Sequence, residues 1–236
     1  MSLVVTVYVP SGIVMAADSR MTATRREEKK EGEEKTITKE QQVVLSDYAY
    51  KLIALDSVPV GIASFDAAII SNEPIDSHIR RFEEALGDKG DSVLDVAQKI
   101  ASYFQSQFSN VPVGFHVCGY QEENKRSVPY VYSCHTIREI APKRHNADEK
   151  GNLRYGVTWS GDRSVIERLI DRNLLPLFAA MPLQDAIDYA IYLIRTSIDT
   201  LRFEPRFPTV GGAIDVLVIT PEKGPHFIQR KELHGG

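Results

Sequence analysis

The residues whose types could do chemistry gather at the start of the chain. Ser2 follows the initiator Met1, and a residue as small as serine permits removal of that methionine. Removal would set a free α-amine beside the serine hydroxyl. An α-amine titrates near ~7.7–8.0, so at neutral pH it can take the proton of its own hydroxyl without a histidine. A nucleophile of this kind needs a cation beside the oxygen and a carboxylate to hold that cation. Lys51 and Asp18 are the candidates. On spacing alone the blander reading leads, with Asp18 a carboxylate closing a turn and Lys51 a solvated charge on a strand.

Other chemistries find less support. There is no Walker-type glycine loop, no glycine-rich dinucleotide fingerprint and no His-Glu-x-x-His, so no cofactor is expected. His116 and Cys118 stand two apart on one strand face, and Cys134-His135 lies on another strand. These spacings match no zinc ligand pair, so they read as core packing and no metal is expected. Asp162, Glu204 and Asp215 show no spacing that selects a paired-carboxylate mechanism.

The whole chain narrows the choice further. Its 236 residues hold 28 Lys and Arg against 32 Asp and Glu, a net charge of −4, with 43% hydrophobic residues. Disorder, collagen and coiled coil are excluded, and the length suits one domain spanning residues 1–236. A protein that wraps phosphate backbones should be basic, so nucleic acid is not an expected partner. No apolar run reaches the ~18 residues of a membrane helix, and no basic residue precedes the first apolar stretch. With only Cys118 and Cys134, a disulfide framework is ruled out and a cytoplasmic setting is expected.

The elements that must position these residues can be read from periodicity. Leu3 to Val9 is almost all β-branched or aromatic, Pro10-Ser11-Gly12 is a turn, and Ile13 to Ala17 completes a hairpin. Arg25 to Glu40 holds six basic and six acidic residues and reads as a mobile, solvated insertion at about 25–40. Strands are expected at Gln42–Leu45, Tyr50–Leu55 and Val58–Ala63. Helices follow at Ile75–Leu86, ended by Gly87, and Val93–Phe108, capped by Asp91 or Ser92. Further strands are expected at Val113–Gly119, Val128–Ser133 and Asn152–Trp159, then helices at Arg163–Leu177 and Leu183–Phe203. A last apolar strand runs Ile214–Ile219. The order implies an α+β fold, a four-layer αββα sandwich with two antiparallel sheets between two helix layers.

Four stretches carry a resemblance. Gly12-Ile13-Val14-Met15-Ala16-Ala17-Asp18-Ser19-Arg20 closely resembles the second strand of proteasome β-type subunits, in the N-terminal-nucleophile hydrolase superfamily. Lys51-Leu52-Ile53-Ala54-Leu55-Asp56 is similar to the lysine strand of that family. Trp159-Ser160-Gly161-Asp162 resembles the Ser-Gly that opens its third helix, and Gly211-Gly212-Ala213-Ile214-Asp215-Val216 resembles its last strand. The resemblance implies a peptidase whose N-terminal nucleophile is Ser2. Lys51 would sit beside its hydroxyl, Asp18 would pair with Lys51, and Ser160 would position the amine and a proton-shuttling water. The oxyanion donor is expected from a backbone N–H at Ser64 or Phe65.

The same resemblance implies a homo-oligomeric ring, a peptide or unfolded-protein substrate and an unfoldase partner, with neither nucleic acid nor membrane. One stretch departs from the pattern. Where the family reads Arg-Asp-x-x-Ser-Gly, this chain reads Arg206-Phe207-Pro208-Thr209-Val210-Gly211, with Thr209 the nearest polar substitute. The alternative that departure favours is a catalytically inactive, ring-forming scaffold or partner-binding homologue.

Overall fold

The computed structural model describes residues 2–30, 36–86, 90–170 and 175–233. It is a mixed α/β structure in which two antiparallel five-stranded sheets carry the core. The chain opens on the expected hairpin of β1 (Leu3–Val9) and β2 (Gly12–Asp18), and every residue of the two strands is buried. Continuous apolar runs of this kind mark strands covered on both faces. Next come β3 (Met21–Lys30) and β4 (Thr36–Ser46), a two-stranded sheet of their own. The charged insertion, expected at about 25–40, carries two paired strands over its described residues, and residues 31–35 lie outside them. Its backbone register sets Arg26 opposite Glu40 and Glu27 opposite Lys39.

The chain continues through β5 (Leu52–Ala54), β6 (Val60–Asp66), β7 (Ile69–Ile70), β8 (Glu73–Pro74), α1 (Ile75–Leu86) and α2 (Val93–Gln107). Both helices match their periodicity, although Gly87, read as a terminator, lies outside the described residues. Ser92, not Asp91, caps α2: its side chain accepts from the Asp95 N–H while Asp95 reaches back to the Ser92 N–H. Then follow β9 (Val113–Glu123), β10 (Arg126–His135), β11 (Glu139–Arg144) and β12 (Gly156–Gly161). The helix expected over Arg163–Leu177 shrinks to α3 (Ile166–Leu169), with 171–174 outside the described residues. After a 3-10 turn at Phe178–Ala180 come α4 (Leu183–Leu201), β13 (Ile214–Thr220) and β14 (Gly224–Gln229).

One sheet has the order β12-β1-β2-β13-β14, the other β11-β10-β9-β6-β5. Three apolar clusters fill the structure. The first joins Ile79, Phe82, Ile100 and Phe104 of α1 and α2 to Ile62 and Phe115 of the second sheet. The next joins Ile187, Ala190 and Ile194 of α4 to Val5, Val14 and Val216 of the first sheet. The last lies between the sheets, where Val4, Met15 and Leu217 meet Leu52, Ala63, Cys118 and Val131. Alternation along β1 explains the division: odd residues face α4 and even residues face the other sheet. Among the described residues, no helix is long and apolar enough to cross a membrane.

Candidate active site

Asp18, the last residue of β2, binds the chain at four points. Its Oδ1 accepts from the Leu3 N–H at 2.8 Å and from Lys51 Nζ at 2.6 Å. Oδ2 accepts from the Arg20 N–H at 3.1 Å and the Gly211 N–H at 3.0 Å. One buried carboxylate thus ties together the start of β1, the exit of β2, the residue before β5 and the loop before β13. Lys51 is 2% exposed and reaches Asp18 from the other sheet, so the ion pair crosses between the two. Burial lowers the pKa of Lys51. Asp18 opposes that shift without cancelling it, while Lys231 and Arg20 push the same way as burial. The alternative for Lys51, a solvated strand charge, does not hold, whereas Asp18 closes the end of β2 by taking the Arg20 N–H as well as pairing with Lys51.

Ser2 lies beside this pair. It is buried, its carbonyl accepts from the Asp162 N–H at 2.7 Å, and the next amide is the Leu3 N–H that donates to Asp18. The close approach of strands β1 and β12 demands glycine at 161. Gly161 has φ +98°, and a Cβ there would overlap the Ser2 carbonyl oxygen. A side chain at Gly211 would likewise enter the Arg20 guanidinium, which Asp47 holds at 2.7 and 2.9 Å. The Ser-Gly and Gly-Gly stretches of the sequence therefore let the backbone close around Ser2 and Asp18.

Phe207 and Val210 bring no polar side chain here, and the polar contacts of this stretch centre on Asp162. Asp162 accepts from Arg206 Nη1 at 2.7 Å, from Ser164 Oγ at 2.8 Å and from Thr209 Oγ1. Burial would raise the Asp162 carboxyl, but Arg206, Thr209 and Ser164 outweigh it and hold the pKa at about 2. Sequence reasoning set Asp162 aside for want of a paired carboxylate. The one signal that pointed to it was its place directly after the matched Ser160-Gly161.

The structure directs the other expected residues elsewhere. Ser160 stands opposite Val4, one of the residues between the sheets, and its Oγ meets His116 Nε2 at 2.9 Å. His116 in turn contacts Thr6 Oγ1 at 2.9 Å, so the Ser160 hydroxyl belongs to a chain linking the sheets. The oxyanion expectation is also corrected. The Ser64 N–H donates to the Lys51 carbonyl at 2.9 Å. Amides alternate along a strand, so the Phe65 N–H points the other way, toward Gly114 of β9. Both are spent inside the sheet. The next amide on the Ser64 side is that of Asp66, beyond the end of β5, at φ 71°. Its carboxylate is held by His135 Nε2 at 3.0 Å and by Arg138.

No protein-family model matches the chain, and no curated protein matches it. Solved structures do. The chain is similar to an Anbu (Gly-1) mutant from Hyphomicrobium sp. strain MC1, with TM-score 0.63 and 16% identity over 97% of this chain and 87% of that one. It is also similar to Anbu (ancestral beta-subunit) from Yersinia bercovieri, with TM-score 0.57 and 14% identity over 96% and 87% of the two chains. The placement among proteasome β-type subunits of the N-terminal-nucleophile superfamily is corrected accordingly. The solved structures named here are Anbu chains, the identities are low, and what they share with this chain is the fold.

Proposed function

We propose that the chain hydrolyses peptide bonds by acyl transfer to the Ser2 hydroxyl, with Met1 removed. The carrying observation is the buried Lys51–Asp18 pair, anchored one residue from Ser2 through the Leu3 N–H. A buried ion pair is a poor way to gain stability and is common where chemistry needs a fixed charge. In the reaction, the Ser2 α-amine takes the hydroxyl proton as Oγ attacks the substrate carbonyl carbon. The Lys51 ammonium favours the negative oxygen, and Asp18 fixes its position. The oxyanion takes a hydrogen bond from the Asp66 N–H. The C–N bond then breaks as the protonated α-amine gives its proton to the leaving amine. Water hydrolyses the resulting ester, with the α-amine again as base. Asp162, clamped by Arg206 and Thr209, holds the Ser2 carbonyl and so aims the amine.

The arrangement of the three apolar clusters supports a four-layer αββα sandwich in which residues 1–236 act as one unit. Copies of the chain would assemble into a ring in the cytoplasm and take peptides or proteins opened by an unfoldase. The decisive experiment exposes protein beginning at Ser2 to a β-lactone or epoxyketone and measures intact mass. One adduct per chain, on residue 2, is expected, and none with Lys51→Ala. An N-terminus that stays unmodified would favour the scaffold reading.

A further inference from the structure

We infer that Lys231 is a positioning residue of the Ser2 site, closing the charge cluster behind Asp18 and Lys51. The inference rests on the proposed role of Ser2. At the end of β14 and just past it the chain keeps alongside β13, where Gln229 Nε2 donates to the Ile214 carbonyl at 2.7 Å. The Lys231 N–H donates to Asp215 Oδ1 at 2.8 Å, and its Nζ pairs with Asp215 Oδ2. The same Nζ donates to Ser19 Oγ at 3.1 Å and lies 4.2 Å from the centre of the Tyr50 ring. Ser19 follows Asp18 and Tyr50 precedes Lys51, so one ammonium touches the neighbour of each partner in the pair. Asp215 stands opposite Ala17 in the sheet, next to the pairing of Ile214 with Asp18.

The Lys231 side chain is 1% exposed and that of Asp215 3%. Lys51 and Lys231 are therefore two buried ammonium groups, each paired with one acid and near enough for Lys231 to act on Lys51. Packing alone does not call for this, since apolar side chains of similar volume fill such a site as well or better. The segment is also braced from outside, where the Arg230 guanidinium lies 4.9 Å from the Tyr50 ring and 4.5 Å from that of Phe227. Lys231 thus does two things. It holds Ser19, and with it the end of β2 that carries Asp18. It also sets a second positive charge beside Lys51, which weakens the hold of Lys51 on its proton. The charged groups around Lys51 are Asp18 and Arg20 at the exit of β2, Asp47 after β4, Asp215 on β13 and Lys231 itself.

The test compares Lys231→Met, Lys231→Arg and the double variant Asp215→Asn with Lys231→Met, which leaves no lone buried carboxylate. Two readouts are taken on folded protein beginning at Ser2: the Lys51 titration by NMR of lysines labelled at Cε, and the rate of β-lactone acylation against pH. Loss of the neighbouring charge should raise the Lys51 midpoint by about one unit, and release of Ser19, with the end of β2 that carries Asp18, should slow acylation at neutral pH about tenfold. Lys231→Arg should restore both. A role in packing alone would lower stability and leave the Lys51 midpoint where it was. An unmoved midpoint in the folded double variant, with acylation intact, overturns the role of Lys231 and leaves that of Ser2 standing. A shifted midpoint in a protein whose Ser2 never acylates supports the coupling of Lys231 to Lys51 and overturns the Ser2 reading instead.

Discussion

Asp18 shows at the scale of a residue how one side chain can serve fold and chemistry together. Its two oxygens take four donors from segments as far apart as Leu3 and Gly211. Asp18→Asn keeps the shape, removes the charge that balances Lys51 and puts an amide N–H₂ where a donor already points. Breaking a buried pair from one side costs about 3–5 kcal/mol. Urea denaturation should show a loss of that order, and Ser2 acylation should vanish in the folded fraction. Gly161→Ala should also destabilise, by more than the ~1 kcal/mol of an unstrained change at glycine, because φ there is +98° and the new methyl meets the Ser2 carbonyl. The sequence resemblance named Asp18 and Lys51, since both stand inside matched strands. It did not reveal Asp162, whose partners Arg206 and Thr209 lie 44 and 47 residues away. Nor did it reveal Lys231, one of two adjacent basic residues near the end of the chain, whose acid, Asp215, reads as part of a strand. Contacts that exist only once the sheets are packed leave no local pattern to find.

At the scale of elements, legibility followed periodicity and failed where polar residues or prolines interrupt it. The α1 stripe of Ile75, Ile79, Phe82 and Leu86 gave that helix its limits, and α2 differs from its expected range only at Phe108. By contrast β14 contains Pro225 and His226, and β11 contains Pro142 among charged residues, so neither offered an apolar alternation. Both pair with a single neighbour at the edge of a sheet, where proline and charge are tolerated. The β3–β4 hairpin escaped notice for a related reason. Its strands pair with each other, and none of their residues with described side chains belongs to the apolar clusters, so charge dominated the reading. It follows that replacing residues 27–39 by Asn-Gly, between the opposed Arg26 and Glu40, should leave the melting temperature within a few degrees of the parent. A cooperative loss of the main transition would instead give the hairpin a share in the core. Ser92→Ala, which opens the capping box of α2, should cost about 1 kcal/mol.

On the scale of the whole molecule, the two sheets are joined by polar groups as well as by the apolar layer between them, and one of these groups titrates. His116 of β9 contacts Thr6 of β1 and Ser160 of β12, and it is wholly buried. Burial first, then His145, lowers its pKa from 6.5 to about 3. The native protein therefore leaves this imidazole neutral where the unfolded chain already binds a proton. Stability is fully present above the unfolded value of 6.5 and is lost as pH falls through the window down to about 3. The slope in that window is at most ~1.4 kcal/mol per pH unit for one group. His135 and His145 are also lowered by burial and add to the slope. Asp162 acts in a lower window: its stabilisation is present above 3.8 and fades only toward about 2. Glu204, lowered from 4.5 by Arg206 and Arg168, also acts below that value, so measurements between about pH 5 and 6.5 isolate the histidines. His116→Gln keeps an amide able to meet Thr6 and Ser160 but cannot take a proton. Its chemical unfolding free energy should fall less steeply with acid than that of the parent, by up to one proton's worth of slope. Identical slopes for the two proteins across that range would mean that His116 takes up its proton without separating the sheets.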